Sequence, residues 1–343
     1  MSGESTSSAR TGGDAPVFQK VFVTGGSGFV GGALIERLAA DGHQVVGLAR
    51  SDEAVAAIEA LGATAVRGDL DSVDAMAAGM EGATLVVHCA AMASASGKLA
   101  DFERANVQGT TNVLEAARRA GVSRFVHVGT EAATMVGDPL LNIDETHPLA
   151  PESKAPYSST KAKAEQSVIA ANGKDGLETV VVRPRFIWGR GDTNLLPELV
   201  IAAQGGKLVW IDGGEHLTST THIDNVIEGI LLVAERGQSG EAYFVTDGEP
   251  VEFREFVTSL LATQGVEAPT REVPSWLARS MMGAGETLWG VLPLPGSPPL
   301  TRLEYWLIST ECTIDDSKAR TELGYRPVVT IEEGLAELEA QKA

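Results

Sequence analysis

One turn constrains this 343-residue chain more than any other stretch: Val21-Phe22-Val23-Thr24-Gly25-Gly26-Ser27-Gly28-Phe29-Val30-Gly31-Gly32. An apolar, β-type run enters it and glycines recur at 25, 28 and 31. Ala33-Leu34-Ile35-Glu36-Arg37-Leu38 then leaves with helical periodicity. A strand that turns into a helix on glycines aims backbone N–H groups and the helix N-terminus at a phosphate. Gly25, Ser27, Gly28, Phe29, Val30 and Gly31 are therefore the candidate pyrophosphate cradle of a dinucleotide. Without a ligand the same turn is an ordinary tight strand-to-helix connection.

The segments that follow alternate. Strand patterns at 20–24, 44–49, 64–67, 83–90, 124–129 and 179–183 are separated by helical ones at 29–40, 54–61, 72–80, 101–120 and 157–171. Leu85-Val86-Val87-His88-Cys89-Ala90 is nearly continuous in apolar character, as in a strand covered on both faces. This alternation predicts an α/β fold, a doubly wound parallel (Rossmann) sheet with a smaller, interleaved C-terminal α/β lobe. The expected division is a disordered tail over 1–19, a dinucleotide domain over 20–185, a substrate lobe over 186–310 and C-terminal helices over 311–343. Returns to the first domain are expected near 219–247 and 312–325, with strands rejoining the main sheet around 219–223 and 242–246.

Composition excludes several classes. With 46 acidic and 27 basic residues the net charge is −19, which opposes binding to nucleic-acid phosphates and to anionic membranes. No apolar run approaches the ~18 residues of a membrane span, so no integral membrane segment is expected. Two cysteines without metal-ligand spacing point to a reducing cytoplasm, with no disulfide framework and no metal.

In such a sheet the loops after the first strands border the cofactor. The second strand ends Leu48-Ala49-Arg50-Ser51, without the carboxylate that commonly takes a ribose 2′-hydroxyl. Arg50 suits a 2′-phosphate, so NADP(H) is favoured; with Arg50 merely solvated and Asp52 on the ribose, NAD(H) would serve. Asp69-Leu70 can hold the adenine, or Asp69 can cap a helix. Ala90 and Ala91 are small enough for close passage of the cofactor. Asn106 either holds backbone near the cofactor or faces solvent.

Tyr157-Ser158-Ser159-Thr160-Lys161 places a phenol and an ammonium at i, i+4 on one helix face. A phenol ionises near 10, and a nearby cation is expected to bring it toward neutrality as a general acid and base. Thr130, ending the fifth strand, can hydrogen-bond a substrate oxygen.

These stretches resemble the extended short-chain dehydrogenase/reductases, the NAD-dependent epimerase/dehydratase superfamily. Asp69-Leu70, His88-Cys89-Ala90-Ala91, Asn106-Val107-x-Gly109-Thr110 and Arg183-Pro184 add to the match, which covers about 20–340. The resemblance implies Tyr157 as acid/base, Lys161 on the nicotinamide ribose, Thr130 at the Ser/Thr position, and Pro184 and Arg185 near the nicotinamide. Gly129 stands where the family often has a second serine, which leaves Thr134 as an alternative register.

Pro298-Pro299-Leu300-Thr301-Arg302 and Lys318-Ala319…Leu323-Gly324-Tyr325-x-Pro327 are similar to the 3β-hydroxysteroid dehydrogenase branch. Residues 274–308 are rich in Trp, Met and Leu, fit to line a pocket for a flat apolar ligand, or else to form the lobe's own core or a dimer surface. The expected activity is alcohol–ketone interconversion on a lipophilic, steroid-like small molecule, with a homodimer left open. The alternatives are a nucleotide-sugar epimerase or dehydratase, for which the lobe's arginines form no evident cluster, and a non-catalytic NADPH sensor.

Overall fold

The computed structural model describes residues 18–291 and 298–342, and the expected tail lies outside them except for its last two residues. Seven parallel strands form the main sheet: β1 (Lys20–Thr24), β2 (Gln44–Ala49), β3 (Thr64–Arg67), β4 (Leu85–His88), β5 (Arg124–Val128), β6 (Glu178–Pro184) and β7 (Ala242–Val245). Their order is β7-β6-β5-β4-β1-β2-β3, the doubly wound arrangement that the alternating pattern predicts.

Helices cover both faces. The helix α1 (Phe29–Ala40) lies on one face with Asp52–Ala60 and Ile223–Arg236. Leu34, Ile35 and Leu38 of α1 are fully buried there, each contributing roughly 1.5–3 kcal/mol of burial. The other face carries Val73–Gly79, α2 (Gly109–Arg119) and α3 (Pro156–Ala171). Proline at the first position of α3 donates no N–H where none is needed, and the chain leaves α3 through left-handed Gly173 (φ 75°).

The order of the sheet reverses between β1 and β4, so the loops after these strands meet. Strand register also aligns three polar side chains: Thr24 pairs with His88, and His88 with His127. Thr24 Oγ1 lies 2.6 Å from His88 Nδ1, and the rings of His88 and His127 are 5.4 Å apart.

The rest of the chain builds a second layer against the carboxyl ends of the strands. A four-stranded sheet runs in the order Val251–Glu252, Leu217–Thr218, Cys312–Ile314, Leu140–Ile143. The helices Ser275–Val291 and Arg302–Ser309 pack beside it through Ala278, Met282, Leu303 and Trp306. Strand Leu140–Ile143 and helix Ser275–Val291 were not legible in the pattern, and Leu292 and Leu294 of the apolar stretch lie outside the described residues.

One expected return is corrected. Residues 242–245 join the main sheet, but 219–223 do not. Phe186 takes φ 46°, which breaks the strand after β6. Ile187–Trp188 therefore leaves the sheet and pairs separately with Thr221–His222. Further on, Ala319, Leu323 and Tyr325 return to the apolar cluster of the main sheet.

Candidate active site

The glycine turn has the geometry of a cradle. Gly25 is left-handed (φ 72°), and a side chain there would meet Ala90 N at 2.8 Å. A Cβ on Gly31 would lie 2.2 Å from Gly25 O, so α1 can start this close only with glycine. Gly28 caps α1 without a side-chain hydrogen bond, and no acidic residue sits in its first turn. The first N–H groups of α1 are thus left for an anion. Ser27 and Gly28 are exposed at the tip, while Phe29 and Val30 pack half-buried on the core.

The neighbouring loop is pinned from two sides. Ala90 N donates to Thr24 Oγ1 (3.2 Å). Asn106, buried, accepts from Met92 N (2.7 Å) and donates to Met92 O (3.2 Å). It does not face solvent but holds the backbone of Met92. The helix expected at 101–120 widens into a π-type turn at Glu103–Gln108 around this residue. Thr110 Oγ1 donates to Asn106 O there (2.6 Å), which draws that carbonyl from the regular ladder. Ala91 is exposed beside them.

At the other end of the cradle, Arg50 is exposed and no described residue pairs with it, whereas Asp52 is bound to Arg67 at 2.5 Å. Asp69 is exposed, and its Oδ1 accepts from Ser72 Oγ (2.7 Å) and Asp71 N (3.1 Å), closing its own turn. Leu70 packs on Gly109 and its carbonyl accepts from Asn112 Nδ2 (2.8 Å).

Thr130, Tyr157 and Lys161 converge at the carboxyl edge of β5. Thr130 stands beside Tyr157 and its hydroxyl donates to Glu131 Oε2 (2.7 Å), while Thr134 Oγ1 donates to Glu131 O (2.8 Å) within its own turn. A Cβ on Gly129 would lie 3.0 Å from Val181 of β6 and 3.1 Å from Glu165 of α3, so a serine there would have to press both side chains aside by a few tenths of an ångström.

Lys161 Nζ donates to Val128 O (2.7 Å) and lies 3.3 Å from His127 Nε2. An ammonium only donates, so Nε2 accepts and the His127 proton sits on Nδ1, which has no partner among the described residues. Burial pushes Lys161 down to about 8, and the acidic groups Glu165 and Cys89 oppose it. Burial, then the Lys161 charge, holds His88 down at about 3 and His127 well below its usual value.

The phenol behaves differently from the expectation. Tyr157 is raised, not lowered: first by burial, then by the Glu131 carboxylate, with Thr130 pulling the other way. Burial is the larger cause, and the geometry adds to it, since Lys161 is turned to β5 while a buried carboxylate stands beside Thr130.

Pro184 ends β6 opposite Val245. Arg185 is fully buried, and its Nη1 meets Glu131 Oε1 at 2.6 Å while Nε and Nη2 reach Thr218 Oγ1 (3.1 and 3.0 Å). Sequence reasoning missed Glu131 as a partner; its position directly after Thr130 was the available signal. It also missed a second buried pair, Arg183 with Glu165.

Tyr157 packs onto the apolar cluster of the second layer, together with Ala278, Met282, Leu303 and Trp306. The described residues contain no helix long and apolar enough to cross a membrane, and both cysteines are free thiols.

The model of the 3-beta hydroxysteroid dehydrogenase/isomerase family matches residues 22–275. A 4-hydroxy-2-methyl-3-oxo-4-farnesyl-3,4-dihydroquinoline-1-oxide ketoreductase of Stigmatella aurantiaca is 49% identical over 316 residues, 92% of this chain and 94% of that protein. A 2-alkyl-3-oxoalkanoate reductase of Stenotrophomonas maltophilia (strain K279a) is 39% identical over 332 residues, 94% of this chain and 99% of that one. Among solved structures, a dTDP-glucose 4,6-dehydratase from Streptomyces venezuelae with NAD bound superposes with a TM-score of 0.74 at 26% identity. That match covers 94% of this chain and 96% of the dehydratase.

Proposed function

Because the chain belongs to the 3-beta hydroxysteroid dehydrogenase/isomerase family, we propose that it is an oxidoreductase that reduces a ketone on a lipophilic molecule to a secondary alcohol, and reverses that step. The observation that carries the reading is the convergence of Thr130, Tyr157 and Lys161 beside a pinned glycine cradle. The apolar cluster that Tyr157 shares with the helices of the second layer supports a lipophilic substrate. The ketoreductase and oxoalkanoate reductase among the relatives support the reductive direction.

The residues fit a nicotinamide dinucleotide. The open N–H groups of α1 and the bare turn would hold its pyrophosphate, with Ala90 and Ala91 alongside and Asp69 and Leu70 toward the adenine. The unpaired Arg50, with Asp52 tied to Arg67, favours NADP(H) over NAD(H). When bound, the dihydro form supplies a hydride. Tyr157 gives its phenolic proton to the ketone oxygen, which Thr130 helps to orient. Lys161 would swing from Val128 O to the ribose and stabilise the phenolate left behind, the proton being restored from water.

The test is fluorescence titration with NADPH and NADH, then a turnover screen on steroids, aryl and long-chain ketones and UDP-sugars. NADPH binds at least tenfold more tightly, and R50E removes that preference. Tyr157→Phe keeps cofactor binding and loses at least a hundredfold in kcat. Turnover confined to UDP-sugars, or unchanged in Tyr157→Phe, would overturn the reading.

A further inference from the structure

Lys161 is a buried ammonium that no carboxylate bonds. It is 3% exposed on α3, and among the described residues it has two acceptors, Val128 O at 2.7 Å and His127 Nε2 at 3.3 Å. The nearby carboxylates are engaged by arginines. Glu165 Oε1 accepts from Arg183 Nε (2.9 Å), and Glu131 Oε1 from Arg185 Nη1 (2.6 Å). A buried cation in that setting depends on the neutral acceptors it has. A carbonyl stands at 128 whatever the side chain; the imidazole is supplied by the choice of residue at 127. Its ring is also fixed. Register sets His127 beside His88, with ring centres 5.4 Å apart. His88 is in turn held by Thr24 Oγ1 (2.6 Å) and Thr110 Oγ1 (3.0 Å). His127 is buried, and its Nδ1 has no partner among the described residues, so the contact with Lys161 alone sets its tautomer.

We propose that His127 is a positioning residue for Lys161: its Nε2 completes the pair of acceptors that keep the ammonium charged and docked on β5 until a dinucleotide draws it away. An apolar side chain at 127 would leave Lys161 one acceptor in a buried site, and burial would then favour the neutral amine. The other groups around Lys161 do not replace the imidazole. His88, from β4, is neutral, held down at about 3 by burial and then by the Lys161 charge. Cys89, directly after β4, is a neutral thiol pushed up to about 12 by burial. Tyr157, one turn earlier on α3, is a phenol raised first by burial. Glu165, one turn later, favours the cation through space, but its bond goes to Arg183 of β6. The use of the charge in the reaction rests on the proposed function; the docking of Lys161 does not.

The experiment reads the amine directly, in the full chain without cofactor. Lysine labelled with ¹³C at Cε reports ionisation by NMR, and the Lys161 signal is the one missing from Lys161→Met. The titration runs from about pH 5 to about pH 11. The wild-type midpoint lies at about 8, apart from the other lysines near about 10.4. In His127→Leu it falls by about one pH unit or more, a tenfold change in the acid constant. His127→Gln, whose amide oxygen still accepts, keeps the wild-type midpoint. With any ketone the screen finds reduced, the alkaline limb of kcat moves down in His127→Leu and stays in place in His127→Gln. Equal midpoints in wild type and His127→Leu, or the same fall in His127→Gln as in His127→Leu, overturn the proposal. If His127→Leu does not fold, His127→Met, unbranched and apolar, is read in the same way. A screen without turnover would defeat the proposed function while this titration still decides the role of His127.

Discussion

Buried side chains set the acid response of this protein. His88 and His127 stay neutral in the folded chain, whereas an unfolded chain binds protons at both near 6.5. Below pH 6.5 the unfolded state therefore holds more protons than the native one, so stability falls as pH falls from 6.5 toward about 3. Urea midpoints taken at steps through that window should decline steadily. A His127→Gln variant, which can still accept from Lys161, should decline more gently, and an unchanged slope would mean that His127 charges freely. At this scale the sequence was legible where one residue type does one job. Tyr157, Lys161 and Thr130 stand out by joint placement, the first two four apart at the start of a helix and the third at the end of a strand. The pairing of Glu131 with Arg185 does not, because it is a contact across 54 positions, and only the place of Glu131 directly after Thr130 hinted at it.

Elements were read well where the hydrophobic period was clean. The ranges Lys20–Thr24, Phe29–Ala40, Gln44–Ala49 and Thr64–Arg67 stand as the pattern places them; the two inner strands are continuously apolar and buried, and the helix buries Leu34, Ile35 and Leu38. The helix over 101–120 was the instructive miss, since its period gives no sign of the widened turn at Glu103–Gln108. That turn is shaped by Asn106, whose amide satisfies both backbone groups of Met92. Asn106→Leu would strand two buried-side partners and should cost about 1–3 kcal/mol. Because Met92 belongs to the loop beside the cradle, the variant should also show a smaller rise in melting temperature with NADPH than wild type. Thermal unfolding with and without the dinucleotide measures both effects.

At the scale of the whole molecule, the second layer is packed against the reacting end of the first. Trp306 is buried at 5% exposure in the cluster that includes Tyr157, so Trp306→Ala should destabilise by about 3–5 kcal/mol and lower kcat as well. Denaturant unfolding beside steady-state kinetics tests the pair; stability lost with kcat unchanged would separate the cluster from the site. The architecture of the first layer was readable because strand and helix alternate there. The second was not, because its strands are two to four residues long and drawn from four distant parts of the chain. Phe186, with its left-handed backbone, diverts one expected strand in a way that a phenylalanine does not advertise. The row of Thr24, His88 and His127 bears on how the sheet assembles at all. All three face the side of α2 and α3, where Thr110 Oγ1 (3.0 Å from His88 Nε2) and Lys161 receive the imidazoles. A slip of β4 or β5 by one position would turn an imidazole onto the opposite face, among Val21, Leu34 and Ile230, with nothing there to bond it. Three polar side chains in a continuous apolar sheet thus act as an alignment mark, penalising the one-position slips that the valine-rich strands would otherwise tolerate.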